Sequence, residues 1–512
     1  VSIATRARAL WQLAVAAWHT RIDDSGHTGF TSQFQTATAD RISFGRKVAY
    51  GLGAFVNNLL AAAIGGMTIV LNLGLGMNPA LVGLLGALPR ITDALTDPMM
   101  GYISDTTRSR WGRRRPYIFA GAIASGVLFA LLWQLPAGRS ESFYFWFFLI
   151  GSIIFYLAYT VFATPWVALG YELTPDYHER TRLMGVQNFI GQLAYLISPW
   201  FLWIMSNKAW FTDQVSGARG LGIAIGLVAA SIGIVPALVL RERFVQAAES
   251  AEAAGRTRWA AFQHNMREFF RGFATTVRSG PFLKLCAATF LVFNGFIMIS
   301  SFQTYVIIYY VFGGNQELGA RYSGYAGTLG AASTFAVIFI VTALSTRLGK
   351  RKAFFVSTGL SILGYGLKWF CYNPAYPMLL LVPVPLMAFG LGGLFTLMGA
   401  MIADVCDVDE LTTHQRREGM FGSIFWWVVK LGMAAALAAG GFLLNATGFD
   451  VAKGGAQDPQ TILLLRLCDV LIPMATSALA IWAVARYPIT EARARDVREQ
   501  LEARRGAPAT TG

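Results

Sequence analysis

Residues 79–103 read PALVGLLGALPRITDALTDPMMGYI. The run is long enough to cross a bilayer, which takes about 20 mostly apolar residues. Yet it carries Arg90, Asp93 and Asp97. A charged side chain at the bilayer centre costs roughly 2.5–3.5 kcal/mol even on the lenient insertion scale. On a helix the three residues are spaced by three and four, so they share one face. That face must look into a bundle, toward a partner or a water-filled cavity. Arg90 can compensate one carboxylate but not both in the same geometry. The second needs another cation, either a proton or a metal ion such as sodium. A buried Arg–Asp–Asp network that only holds helices together is the plainer alternative, but buried ion pairs add little stability.

The rest of the chain has the same character. Of 512 residues, 55% are hydrophobic and only 14% charged, against about 25% charged in a soluble domain. Twelve apolar spans are expected near 46–72, 79–104, 117–136, 143–173, 184–205, 220–240, 282–311, 321–346, 351–371, 376–405, 419–444 and 461–485. This is an all-α membrane protein, and a large soluble enzyme is excluded. The net charge of +14 does not point to nucleic acid, because Lys and Arg concentrate in alternate loops and in both tails. By the positive-inside rule, those tails and the central loop face the cytoplasm. Membrane lipids are the expected surroundings. The four cysteines form no CxxC pair, and the five histidines lie outside the spans. No HExxH, GxSxG or Walker-type loop is present, so no enzyme activity and no cofactor are expected. LWQLAVAAW near the start is too short, and too polar in its sequel, for a signal peptide; residues 1–45 read as a cytoplasmic tail.

A basic central segment, 241–280, divides the spans six and six, with a first bundle over 46–240, a second over 281–486 and a tail over 487–512. Within it, Trp259, Phe262, Met266, Phe269, Phe270 and Phe273 recur at helical spacing among arginines, as in a helix lying on a leaflet. The loops of the halves echo each other: YELTPDYHERTRLMG after span 4 and DVCDVDELTTHQRREGMFG after span 10. Two matched six-helix halves suit a carrier that rocks about a central site. Gly432, Ala436 and Gly440 repeat at the spacing that permits close helix packing. Arg466 and Asp469, one turn apart, are expected to pair locally.

DALTDPMMGYISDTTRSRWGRRRPYI, ATPWVALGYELTPDYHERTRL and MIADVCDVDELTTHQRREGMFGSIFWWVVKLG resemble the three signatures of the glycoside–pentoside–hexuronide:cation symporters, the melibiose-permease branch of the major facilitator superfamily. The resemblance runs from about Arg46 to the end of span 12. It implies a twelve-helix major-facilitator fold and symport of a glycoside, sugar or hexuronide with sodium or a proton. The partner it implies is a small-molecule substrate, for a monomer in a bacterial inner membrane. It also implies a cation site at Asp93, Asp97 and Thr160, with Thr96 where that branch has asparagine, and a functional lysine at Lys430. The branch's sugar-binding aspartates fall on Asn58 and Ala163, and its helix-5 arginine on Asn188. The cation machinery is kept and the galactoside clamp is not. Asn58, Trp166, Asn188 and Lys430 are the candidate substrate residues, with Trp166 offered as a stacking platform and Lys430 as partner for an anionic substrate unless the aspartates reach it. Related vertebrate carriers of lysolipids make an amphipathic substrate the alternative, and a non-transporting sensor or membrane enzyme is the alternative of another class.

Arg90, within the second span, and Asp105, Arg108, Arg113, Glu172, Glu179, Asp404 and Glu418, near one membrane face, form a candidate gating and charge network. Pairing of Asp105 and the arginines with Glu172, Glu179, Asp404 or Glu418 would latch that face shut. Such pairs, broken on opening, would bias the equilibrium between the two access states by a few kcal/mol.

Overall fold

A computed structural model describes residues 40–107, 109–174, 177–242, 267, 279–413 and 418–505. The aromatic repeat of the central segment and Arg108 lie outside these residues. Among the described residues, twelve long helical segments follow one another. In the first half they are α1 (Phe44–Met67, continued by Ile69–Leu73), α2 (Pro79–Thr106) and α3 (Arg115–Leu132). Next come α4 (Glu141–Glu172), α5 (Tyr177–Ile197, continued by Phe201–Ser206) and α6 (Gln214–Gly233, continued by Val235–Val239). The second half holds α7 (Gly280–Tyr305, ending in a π-helical turn, Val306–Val311), α8 (Gln316–Leu348) and α9 (Lys350–Cys371). It is completed by α10 (Val384–Thr413), α11 (Glu418–Ala446) and α12 (Pro459–Ala485). A polar helix, α13 (Glu491–Arg505), follows. Hydrocarbon offers no partner for backbone N–H and C=O, so every apolar span must close its own hydrogen bonds as a helix.

Ten of these segments are long and apolar enough to cross a membrane; α2 and α9 fall outside that group. Both carry charge into the bundle, at Arg90, Asp93 and Asp97 in α2 and at Lys368 in α9. The ends are set by local chemistry. Asn78 accepts a hydrogen bond from the Ala80 amide ahead of α2, with Pro79 at the first helical position. Asp213 and Ser216 cap α6 reciprocally. Gly349, at φ 79°, turns α8 directly into α9, a conformation that only glycine adopts without strain.

Within the first half α1 packs on α5, α3 on α4 and α6, and α2 on α4. In the second, α7 packs on α11 and α12, α9 on α10 and α12, and α8 on α10. The halves meet where α2 lies against α11 and α5 against α8. Large apolar side chains such as Leu227, Phe339, Leu363, Phe370 and Trp482 point outward, as a lipid-facing surface requires. Two faces can be distinguished. One bears Arg113, Arg114, Arg115, Lys350, Arg351 and Lys352, and is called here the basic face. The opposite, short-loop face bears the turns at 74–78, 207–213 and 447–458.

The halves are sealed at the short-loop face. The apolar core of the first half continues into the second through Tyr305–Tyr309, Val384, Leu444 and Phe449, whereas the remainder of the second half has a core of its own. Backbones approach closely there: a methyl group on Gly83 would stand 2.6 Å from the Leu437 carbonyl, and one on Gly441 would stand 2.4 Å from that of Pro79. Gly327 seats Pro199 and Gly324 seats Trp200. Tyr305 donates to Asn72 at 2.8 Å, Trp200 to Thr328 at 2.9 Å, and Gln214 to Gln316 at 2.9 Å. The closest approach of α11 to α2 therefore uses Gly441, one residue beyond the small-residue repeat noted in the sequence; Gly432 instead faces Asn294 and Phe290 of α7.

One expected pairing is corrected. Asp469 does not pair with Arg466. It accepts from Lys368 of α9 at 2.5 Å, both side chains being essentially unexposed. Arg466 lies between the rings of Tyr310 and Trp369, at 4.0 and 4.2 Å, and donates to the Trp369 carbonyl. Three residues on a helix bring Arg466 and Asp469 to nearby azimuths, but Arg466 reaches the aromatic pair while Asp469 turns to the bundle interior, where the Lys368 ammonium waits.

The charges of the candidate latch pair at the helix ends. Arg113 bonds Glu172, and Arg114 bonds Asp105 at 2.6 Å and Glu172 at 3.0 Å. Glu242, just beyond α6, accepts from the backbone amides of Arg113, Arg114 and Arg115. Glu179 takes Lys47 at 2.7 Å and Arg182 at 3.3 Å. All these partners belong to the first half. Asp404 is taken by Lys350 at 2.6 Å, inside the second. Each of these pairs joins helix ends within one half, in a structure sealed at the short-loop face rather than at the basic face where the latch would close. Glu418 opens α11, and its side chain lies outside the described residues.

Candidate functional site

The site is built on the opening stretch. On α2, Asp93 is buried and Asp97 half-buried, and both face α4. The Thr160 hydroxyl lies 3.1 Å from Asp93 Oδ1 and 3.2 Å from Asp97 Oδ1, so its one proton can be donated to either carboxylate. Thr164 reaches Asp97 Oδ1 at 3.3 Å, and Thr96 lies 3.4 Å from Thr160. Thr164 was missed in the sequence; its signal is that it follows Thr160 by four residues and so shares its face. Two carboxylates and three hydroxyls make a compact set of hard oxygen atoms. Such a set fits a hard cation.

The fourth wall comes from the other half. Lys430, midway along α11, places its ammonium 2.9 Å from Asp93 Oδ2 and within hydrogen-bonding distance of Asp97 Oδ2. A single cationic side chain of the second half thus bridges two carboxylates of the first. Arg90 does not supply the compensation expected of it. It makes no ion pair with either aspartate; its guanidinium stands 5.9 Å from the Tyr156 ring centre, with Nη1 3.8 Å from the Met433 sulfur.

A family model described as MFS/sugar transport protein matches residues 43–491. The chain belongs to that family. This transporter is 26% identical to an uncharacterized symporter of Synechocystis over 92% of its own length and 98% of the relative's. It is 22% identical to a glucuronide carrier protein homolog of Escherichia coli, over 91% and 97%. Its fold resembles the crystal structure of a bacterial homolog of the human lysosomal transporter Spinster, with a TM-score of 0.62 at 16% identity, covering 87% of this chain and 98% of that one. The resemblance to the glycoside–pentoside–hexuronide:cation symporters and the major-facilitator fold therefore stand.

The candidate substrate residues fare unevenly. Trp166 is no stacking platform. It is 2% exposed, stacked 5.1 Å from Tyr50, wedged against Gly53, and donates to the Tyr50 carbonyl at 3.1 Å. Its helix face turns to α1, not to the space between the halves. Asn58 spends its amide on the Gly191 carbonyl at 3.0 Å, tying α1 to α5. Asn188 is exposed on α5. Lys430 belongs to the carboxylate pair.

Proposed function

We propose that this transporter moves a glycoside or hexuronide in symport with a monovalent cation, sodium or a proton, which takes the place of Lys430 at Asp93 and Asp97. The observation that carries the reading is the ammonium of one half lodged between two carboxylates of the other. An uncompensated carboxylate pair in a membrane is costly, so the empty carrier uses its own lysine as a counter-charge. A coupling cation that claims the carboxylates releases Lys430, loosens the contact between α2 and α11, and frees the halves to rock. With a neutral substrate the cation's charge adds about 2.3 kcal/mol of driving energy per 100 mV, whereas one cation with one singly anionic substrate crosses without net charge and is driven by the ion gradient alone. The glucuronide-carrier relative supports the substrate class, and the loss of the galactoside clamp argues against neutral galactosides.

With the basic face in the cytoplasm, as the positive-inside rule requires, both tails are cytoplasmic and the seal at the short-loop face makes this the inward-facing state. One chain supplies both halves of the site, so a monomer suffices as the working unit. The test is gradient-driven uptake in proteoliposomes by Asp93→Asn and Asp97→Asn. Each should abolish accumulation while leaving substrate binding largely intact. Concentrative uptake near the native level in either variant would reduce the pair to a structural network.

A further inference from the structure

Two positive and two negative side chains meet at the centre of the protein: Arg90, Lys430, Asp93 and Asp97. Three of them are engaged with one another. Arg90 is not. Its Nε is buried without any acceptor, and the partner described for Nη1 is a thioether 3.8 Å away, a weak acceptor at best. A guanidinium carries five donors in a planar fork suited to a carboxylate. The Arg90 Nε is the one buried without a partner, and that is costly, since buried polar groups are nearly always hydrogen-bonded.

The surroundings of Arg90 lie between the halves. Met433 belongs to α11, Tyr156 to α4, and Tyr195 of α5 is close enough to feel the guanidinium charge. Tyr195 is exposed. Asn188, Gln192 and Tyr195 are spaced by four and three, so they form one polar stripe along α5 leading toward Arg90. Amide and hydroxyl groups on such a stripe can bind sugar hydroxyls, and its end is marked by a fixed positive charge.

The charge balance sharpens the point. In the empty carrier the four groups cancel. When the coupling cation joins the carboxylates, one positive charge is left over, in surroundings where an unmatched charge is expensive. We infer that Arg90 anchors a carboxylate on the substrate, so that this carrier selects singly anionic glycosides and the cation and substrate neutralise the site together. The inference deepens the symport scheme above and rests on it for the role of the cation. It moves the anionic subsite from Lys430, which is engaged, to Arg90, which is free. It also gives a reason for coupling: the cation creates the surplus charge that the carboxylate then matches, and by linkage each raises the affinity of the other.

The test compares 4-nitrophenyl β-glucuronide with the matching neutral glucoside by binding to the purified full-length transporter, with and without sodium at two pH values. The native protein should bind the glucuronide at least about tenfold more tightly, the ratio one charge-assisted hydrogen bond supplies, and the margin should narrow when the cation is withdrawn. Arg90→Gln should bring the two ligands within about twofold by weakening the glucuronide alone, and Arg90→Lys should restore part of the preference. Cation-induced thermal stabilisation should persist in Arg90→Gln, which also reports that the variant is folded. Equal binding by the native protein, a preference that survives Arg90→Gln, or loss of the cation response in that variant would each overturn the assignment. A native protein indifferent to sodium and pH whose preference still vanishes in Arg90→Gln would sink the coupling scheme and leave the anchor in place.

Discussion

Replacing Lys430 by glutamine tests the central geometry most directly. The variant keeps a polar side chain of similar length and removes the charge that now occupies the carboxylate pair. Hydrogen bonds to charged groups contribute about 1.5–3 kcal/mol net. Lys430 makes two, but Asp97 is 34% exposed and Lys430 29%, so solvent screens that member and it is left out of the count. The Asp93 carboxylate is 7% exposed, and its bond to Lys430 is counted in full. A coupling cation must displace that bond, so removing it should tighten cation binding by about 10- to 150-fold, at about 1.4 kcal/mol per factor of ten. The assay is thermal stabilisation of the purified protein by sodium at fixed pH, and by protons at fixed sodium. One of the two titrations should move to lower cation concentration in Lys430→Gln, while Lys430→Arg stays near native. Transport by Lys430→Gln should fall, because a site that holds its cation too tightly releases it slowly. If neither titration moves, Lys430 does not compete with the coupling cation and the proposed exchange is wrong.

The buried Lys368–Asp469 pair should behave differently. Lys368→Met strands a carboxylate and should cost about 3–5 kcal/mol of stability, while the double variant Lys368→Met/Asp469→Leu should recover most of it; thermal unfolding in detergent reads both. At the helix ends, burial pushes the Glu179 carboxyl up, but bonds from Lys47, the Ile42 amide and Arg182 together outweigh it and hold the group below the usual range. A carboxyl depressed in the folded state stabilises above its unfolded value, about 4.3, and that contribution fades as pH falls through the folded value. The stability gap between native and Glu179→Gln should thus be full at neutral pH and close in acid; a gap that persists or grows in acid would contradict it. At the short-loop seal, Gly441→Val should prise α11 from α2 and raise labelling of cysteines placed at that face, with little change in overall helix content by circular dichroism.

What the sequence settled by itself follows from the membrane. Lipid cannot satisfy a backbone, so twelve apolar runs become twelve helices. Helical spacing alone put Asp93 and Asp97 on one face and required a cation opposite them. It could not choose that cation. Arg90, one turn away in sequence, was the natural candidate, and the lysine 333 residues beyond Asp97 is the one that arrives. The same gap explains Trp166, Asp469 and the helix-end charges. A side chain's azimuth can be counted from spacing, but which neighbour stands at that azimuth depends on how helices from distant parts of the chain are brought together. The Gly83–Gly441 and Gly327–Pro199 contacts decide this, because glycine is the residue that lets the backbones close. Only with the halves docked do an ammonium, two carboxylates and an unpaired guanidinium share one space, and from that space the transporter's chemistry is read.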